Sequence, residues 1–401
     1  MKFFLVVTFL LIQSKSFGLS FEQAIKNIQE HEVVKGLEHL SDSLNSESRM
    51  KSSWGDPMLK VAAKNFPIDT LKNDQTPMTG VEFGFSQKIA MSNKYGNIRD
   101  SIENLARSTK FDAKDKVQEL SRMFWETLIN ERKVKEELFI LNENLAWNGK
   151  ILSISKKLYV NGKVSQQSLL DIQIRKSEIE RQISNKNFEL EQISERISYL
   201  INDDPKELDR KSIPWSVLSR SGKKRKDYKE LSLLGKVKAK DLGVKIAKQN
   251  FIPDLTFSVG YTKRANIDNN GDFIGAAITF PIPFSDQKYA NRNKEVFEKY
   301  AVERKYNNYK RLKVRESNLL QKEISKIEKE LSILNTKTIV FATNSRAITS
   351  KSYGHGNATY VELLQSELQL QNILLYKVML EAKKDIEKTN LMYIQGEALN
   401  E

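Results

Sequence analysis

The chain has 401 residues, enough for a large core, yet only 39% are hydrophobic, 29% are charged, and glycine (17) and proline (8) are scarce. That balance favours long helices over a compact globule. The absence of cysteine excludes disulfides, thiolate metal sites and a lipidated N-terminal cysteine, and the formal charge of +14 is spread along helical stretches with few aromatics, unlike a nucleic-acid-binding surface.

Residues 1–18 read as a secretory signal: Lys2, an apolar run from Phe3 to Ile12, and small residues at Ser16 and Gly18, so that the mature chain begins at Leu19. No later segment approaches the roughly 18 apolar residues of a spanning helix, so any membrane crossing falls to strands. A helix is predicted over 20–48, then strands over 57–65 and 81–89. In the second of these, Val81, Phe83 and Phe85 alternate with Glu82, Gly84 and Ser86. A long polar helix follows over 94–157, almost without Gly or Pro; at 1.5 Å per residue it reaches on the order of 95 Å and needs lateral partners.

After a break near Gly162, Leu169, Ile172, Lys176, Ile179, Ile183, Lys186, Leu190, Ile193, Ile197 and Leu200 step by threes and fours as a coiled-coil seam. Residues 202–227 form a charged connector with Pro205, Pro214 and the basic cluster Gly222-Lys223-Lys224-Arg225-Lys226, read as solvated surface. The order then repeats: a helix over 228–250, strands over 253–263 and 273–282, a long helix over 288–351, and a second helix with Val361, Leu364, Leu368, Leu375, Val378 and Ala382 as its seam. Residues from about 389 are expected to fray or to pack on the connector. Asp268-Asn269-Asn270-Gly271-Asp272 looks like a calcium loop but lacks its sixth-position glycine and twelfth-position glutamate, and is read as a hairpin turn.

The two halves are a tandem duplication. Lys94-Tyr95-Gly96-Asn97 recurs as Lys288-Tyr289-Ala290-Asn291, Tyr159-Val160-Asn161-Gly162 as Tyr353-Gly354-His355-Gly356, and Leu169-Leu170 as Leu363-Leu364, each 194 positions later. Phe85 fits Phe280 only at 195, which predicts a bulge or a register shift between strand and helix. The implied domains are a signal peptide 1–18, a first repeat 19–201, a connector 202–227, a second repeat 228–388 and a tail 389–401. Four strands are too few to close a membrane barrel, so the pattern asks for oligomerisation.

In this order of elements the chain resembles the TolC-like outer-membrane factors over essentially its whole mature length. Leu19-Ser20-Phe21-Glu22-Gln23-Ala24 is similar to the family's mature start, and Phe280-Pro281-Ile282-Pro283-Phe284 to its strand-to-helix transition. Tyr353 to Gly356 followed by Val361-Glu362-Leu363-Leu364 is similar to its helix-hairpin tip. Trp54-Gly55-Asp56-Pro57, Asn65-Phe66-Pro67, Pro77-Met78-Thr79 and Phe85-Ser86-Gln87 resemble the branch serving heavy-metal exporters.

The resemblance implies a mainly α fold with β, in which a homotrimer builds an α-helical barrel and a twelve-stranded transmembrane β-barrel, four strands per protomer, in outer-membrane lipid. It implies a non-catalytic export duct without cofactor, working with a periplasmic adaptor and an inner-membrane transporter of the resistance-nodulation-division type. The hairpin tips at Gly162 and Gly356 would be the docking surface. In the family, acidic residues after the second tip narrow the inner mouth; the matching positions are Glu362 and Gln365, with Ser168 and Asp171 as equivalents in the first repeat. Rings of Glu362 and Asp171 would favour cations; equally, both are ordinary flank residues of a coiled coil.

Two other classes compete. A periplasmic coiled-coil structural or adaptor protein would show one helical hairpin inserted in β-domains, whereas here there are two. An enzyme would need a nucleophile elbow, a phosphate loop or a His/Glu metal pair; none is present, and His31, His39 and His355 are scattered.

Overall fold

A computed structural model describes residues 18–219, 226–397 and 399. The proposed signal sequence, apart from Gly18, and the basic cluster, apart from Lys226, lie outside the described residues. Eight helices and four strands follow in the order α1 (Phe21–Gln29), α2 (Glu32–Lys51), β1 (Met58–Lys64), β2 (Gly80–Ile89), α3 (Lys94–Val160), α4 (Gln166–Ile201), α5 (Tyr228–Gln249), β3 (Leu255–Arg264), β4 (Phe273–Thr279), α6 (Asp286–Ile333), α7 (Ile339–Gly354) and α8 (Tyr360–Gln395). Two 3₁₀ turns, Arg210–Ser212 and Trp215–Ser219, lie in the connector.

The chain forms two compact units that each draw on both halves of the sequence. One holds residues 35–115 and 227–312. Its sheet has the order β1-β2-β3-β4, antiparallel throughout, with Gly80 to Ile89 of β2 facing Arg264 to Leu255 of β3 in unbroken register. All three ladders run without a bulge. The expected one-residue mismatch therefore falls beyond β4, which stops at Thr279, three residues short of expectation, because Pro281 and Pro283 cannot donate to a ladder. The β3–β4 turn is tied down by Arg264. Its guanidinium holds both carboxylate oxygens of Asp268 and the carbonyls of Gly271 and Pro77, while Asp272 accepts from the Arg264 backbone N–H and the Tyr261 hydroxyl. Asn269 and Gly271 take positive φ, as a tight turn requires. Beside the sheet, α5 lies along α3 through Ser108 Oγ on the Ser232 carbonyl (2.5 Å) and Lys236 on Asp112 (2.7 Å).

The other unit holds residues 18–34, 116–226 and 313–399 within the described set. At its centre Trp125 is fully buried, tilted against Phe21 and edge-on to Trp215, and donates its indole N–H to the Leu399 carbonyl at 2.6 Å. Ser20 begins α1 with a capping box closed by Gln23.

The predicted first helix is in fact two. The chain breaks after α1, and Val33 N–H donates to His31 Nδ1 (3.3 Å), whose buried ring lies edge-on to Tyr199 of α4. The second long helix is likewise α6 and α7 joined by a π-helical turn, Leu334–Thr338, where α3 runs on without interruption. α8 continues to Gln395, past the expected fraying point, because Thr389 and Met392 are buried and Gly396 (φ +69°) closes the helix. The α4 seam holds, none of its ten positions being exposed. That of α8 holds at Leu364, Leu368, Leu375, Val378 and Ala382 and is corrected at its first position: Val361 is 69% exposed, and Leu363 turns into the cluster at the tip instead.

Candidate channel wall and helix tips

Successive strand residues point to opposite faces, so the register sorts every side chain of the sheet. On one face lie Leu59, Val61, Val81, Phe83, Phe85, Phe257, Val259, Tyr261, Ile274 and Ile278, with Gln87 and Lys263 toward its ends; on the other lie Lys60, Lys64, Glu82, Ser86, Lys88, Thr256, Ser258, Thr262 and Thr279, together with Met58 and Phe273. The apolar face is covered by nothing within the chain: Leu59 is 77% and Ile274 80% exposed. A contiguous apolar surface of that kind in water marks an interface with lipid or protein. The polar face carries a row in which Lys60, Gly84, Gly260 and Gly275 stand side by side. A Cβ on Gly260 would meet the Glu82 carboxylate at 2.8 Å, so the glycine makes room for that side chain.

The two helix tips share one local design. At the first, Gly162 (φ +69°) donates to the Tyr159 carbonyl and Lys163 to the Leu158 carbonyl, both at 2.9 Å; at the second, Gly356 (φ +79°) donates to Tyr353 and Asn357 to Ser352, again at 2.9 Å. Both are Schellman closures, which need a left-handed residue at the glycine. Ser165 and Thr359 then cap α4 and α8. Between the tips Ile151, Leu158, Ile172, Tyr353, Tyr360 and Leu363 form a buried cluster. Within it the hydroxyls of Ser155 and Tyr353 pair at 2.7 Å, both groups out of water.

The four candidate gate residues occupy the first turns of α4 and α8. Glu362 is exposed, and its carboxylate closes a capping box, accepting from Thr359 N–H (2.7 Å) and the Thr359 hydroxyl (2.9 Å); these bonds hold its pKa below the usual range. Asp171 is half-buried and accepts from Gln167 Nε2 at 2.9 Å. Ser168 donates its N–H to Ser165 Oγ (3.3 Å), and Gln365 is exposed. Burial, reinforced by the negative charge of Asp171, pushes the Tyr360 phenol up to about 12.

Further from the tips the structure shows a buried polar layer that the sequence reading missed. Arg175 of α4, 5% exposed, donates to Gln371 of α8, and Gln371 in turn donates to Gln182 at 3.1 Å. Glu367 of α8, 1% exposed, faces Arg346 of α7 at 3.5 Å, and Arg346 lies over the Trp147 ring of α3. Desolvation raises the Glu367 pKa against the opposing charges of Arg346 and Arg175. The signal available in sequence was slight: these residues fall one helical position beside apolar seams.

Among the described residues no helix is long and apolar enough to cross a membrane, and no group of three or more His, Asp or Glu side chains is placed to hold a metal ion. No protein-family model matches the sequence, and no curated relative does. Solved structures do match it along nearly their whole length. The outer membrane protein VceC of Vibrio cholerae superposes with a TM-score of 0.76 at 14% identity, covering 94% of this chain and 96% of its own. CusC, described in connection with transmembrane channel formation, gives 0.76 at 12% identity over 95% and 94%. The CmeC outer membrane channel of Campylobacter jejuni gives 0.74 at 14% over 95% and 87%. The fold is thus that of the TolC-like outer-membrane factors, mainly helical with a four-stranded sheet. At these identities the likeness establishes architecture.

Proposed function

We propose that this chain is the outer-membrane channel of a tripartite efflux or export system, a trimeric duct that passes substrates outward and catalyses nothing. The observation that carries the reading is the two-faced sheet: four strands with one predominantly apolar, exposed face and one mainly polar face rich in glycine. Such a sheet matches the lipid and lumen sides of a transmembrane barrel, and β1 and β4 are edge strands for neighbouring copies to pair with. The outer membrane protein VceC and the outer membrane channel CmeC share the fold over nearly its full length. On this reading the protein sits in the outer membrane, its helices extend into the periplasm, and the tips at Gly162 and Gly356 meet a periplasmic adaptor coupled to an inner-membrane transporter.

On the same reading Glu362 and Asp171 line the inner mouth, with Ser168 and Gln365 as their neutral counterparts; the support is their position in the first turns of α8 and α4 beside the tips. The four local patterns similar to the heavy-metal branch support metal cations as cargo; the likeness to solved structures does not resolve that branch. The reading is tested by native mass and shape after detergent extraction from an outer-membrane fraction. A trimeric elongated tube is expected; a soluble monomer or dimer obtained without detergent would overturn it and favour a periplasmic coiled-coil protein.

A further inference from the structure

We propose that the polar face of the sheet is an anion-favouring surface, so that the pore passes small anions in preference to cations. The inference rests on the channel reading above and concerns the charge class of what the barrel section admits.

Two charge clusters belong to this face, and both have the same composition. In the first, Lys60 and Lys64 of β1 converge on one oxygen of Glu82 in β2, at 3.2 and 2.7 Å. In the second, Lys88 of β2 and Lys94 at the start of α3 converge on one oxygen of Asp254, at 3.0 and 2.6 Å. Each cluster sets two ammonium groups against one carboxylate and leaves one positive charge uncompensated.

Exposure accentuates the sign. The Glu82 side chain is 15% exposed while those of Lys60 and Lys64 are 61% and 45% exposed; Asp254 is 7% exposed while Lys88 is 50% and Lys94 14% exposed. At the first cluster the carboxylate lies beneath and both ammonium groups meet solvent; at the second, Lys94 is covered with the carboxylate and Lys88 is the cation that solvent meets. The glycine row explains how this is possible, because the Glu82 carboxylate lies against the backbone at Gly260, in space a side chain would occupy. An ordinary surface ion pair exposes both partners and contributes little to a field; a covered anion with two exposed cations is a positive site.

The arrangement inverts only at the hairpin end of β3. There the Arg264 side chain is 1% exposed and Asp268 27%. Over the strands themselves, repetition around a closed barrel would stack rings of net positive charge, and rings of Lys or Arg select anions in a narrow aqueous pore. The Debye length is about 10 Å at 0.1 M salt and shrinks as salt is raised, so the preference is strongest at low ionic strength and fades at high salt.

The test is the reversal potential of the purified full-length protein in planar lipid bilayers under a potassium chloride gradient. Chloride is expected to permeate over potassium by about twofold or more at 0.1 M salt. Lys60→Gln with Lys64→Gln, which uncovers Glu82, is expected to bring the ratio to unity or invert it; Lys88→Gln is expected to lower it. Glu82→Gln is expected to raise it. Each variant is first checked for the wild-type oligomer in detergent. A wild-type pore that prefers potassium, or a ratio that the lysine variants leave unchanged, overturns the inference while leaving the channel reading intact. A correctly assembled protein with no conductance overturns the channel reading itself, and the inference with it.

Discussion

The hydroxyl pair between Ser155 of α3 and Tyr353 of α7 offers a sharp test of how the tip is held together. Both groups are buried, Ser155 completely and Tyr353 to 1% exposure, and they pair at 2.7 Å. Removing either partner leaves the other without water to replace it, a cost of about 1–3 kcal/mol. The two truncations are not equivalent, however. In Tyr353→Phe the orphaned serine hydroxyl sits inside a helix and can turn back onto its own preceding turn, so about 1 kcal/mol is expected. In Ser155→Ala the phenol is fixed by a ring locked in the cluster of Ile151, Leu158, Ile172 and Leu363 and cannot turn, so about 2–3 kcal/mol is expected.

The double variant removes both polar groups and is expected to cost less than Ser155→Ala alone. Amide hydrogen exchange at the ends of α3 and α7 reads this as local opening, about 2 kcal/mol corresponding to roughly thirtyfold faster exchange. Additive effects in the double variant, or Tyr353→Phe as the more damaging change, would refute the reasoning.

Glu362 serves both as a candidate gate residue and as the closing residue of the α8 capping box. Glu362→Gln keeps the box and removes the charge, whereas Glu362→Ala loses both and weakens the start of α8. If the carboxylate gates, Glu362→Gln with Asp171→Asn changes single-channel conductance and divalent-cation block; unchanged values would remove both residues from the gate. Gly356→Ala meets no close neighbour except Lys163 Cδ at 3.6 Å, so its cost comes from positive φ, about 1–2 kcal/mol, measured as faster exchange in the second tip.

Glu367, whose folded pKa is raised above the usual 4.5 by burial, binds its proton more tightly folded than unfolded. It therefore stabilises the unit fully below its unfolded pKa, and that contribution is lost as pH rises through the raised folded value. Thermal melts between pH 4.5 and neutrality should show this slope in the wild type and lack it in Glu367→Gln. Trp125→Phe keeps the ring contacts but orphans the Leu399 carbonyl, with an expected loss of about 1–3 kcal/mol; an unchanged melt would assign that hydrogen bond no role.

Periodicity carries the strands and the α4 seam into the sequence because those elements have one dry side and one wet side, and the pattern is local. The tips were legible for a different reason: Gly162 and Gly356 hold positive φ, and the same spacing of glycine and cap residue recurs 194 positions apart. Thr359 and Glu362 also spell a capping box that can be read directly. The division of the first helix was hidden because Glu30 and His31 break no hydrophobic period; the break depends on a bond from Val33 to the His31 ring and on Tyr199, more than a hundred residues away. The exposure of Val361 at the start of the α8 seam was hidden for a related reason. Apolar residues are dense there, and only the tertiary position of Leu363 beside Ile172 and Tyr353 decides which of them turns inward. The layer of Arg175, Gln371 and Glu367 has no local signature at all, since a charged residue beside a seam reads as a solvated flank.

The two candidate constellations differ in sign, and this makes their roles separable. At the tips the acids are staggered between repeats: Glu362 stands where the first repeat has Ser168, and Asp171 where the second has Gln365. Each repeat thus supplies one carboxylate, and Glu362 is held ionised by its cap. On the sheet, both clusters cover the acid and expose lysine: Lys60 and Lys64 in the first, Lys88 in the second. A pore built from both elements would pass an ion through fields of opposite sign, and the tighter or drier of the two governs the permeability ratio. If neutralising Lys60 and Lys64 moves that ratio while Glu362→Gln moves only the conductance, the sheet sets charge preference and the tips set access. If the dependence is the other way round, the acidic mouth selects, and the cation cargo suggested by the heavy-metal resemblance gains the support that the fold does not give it.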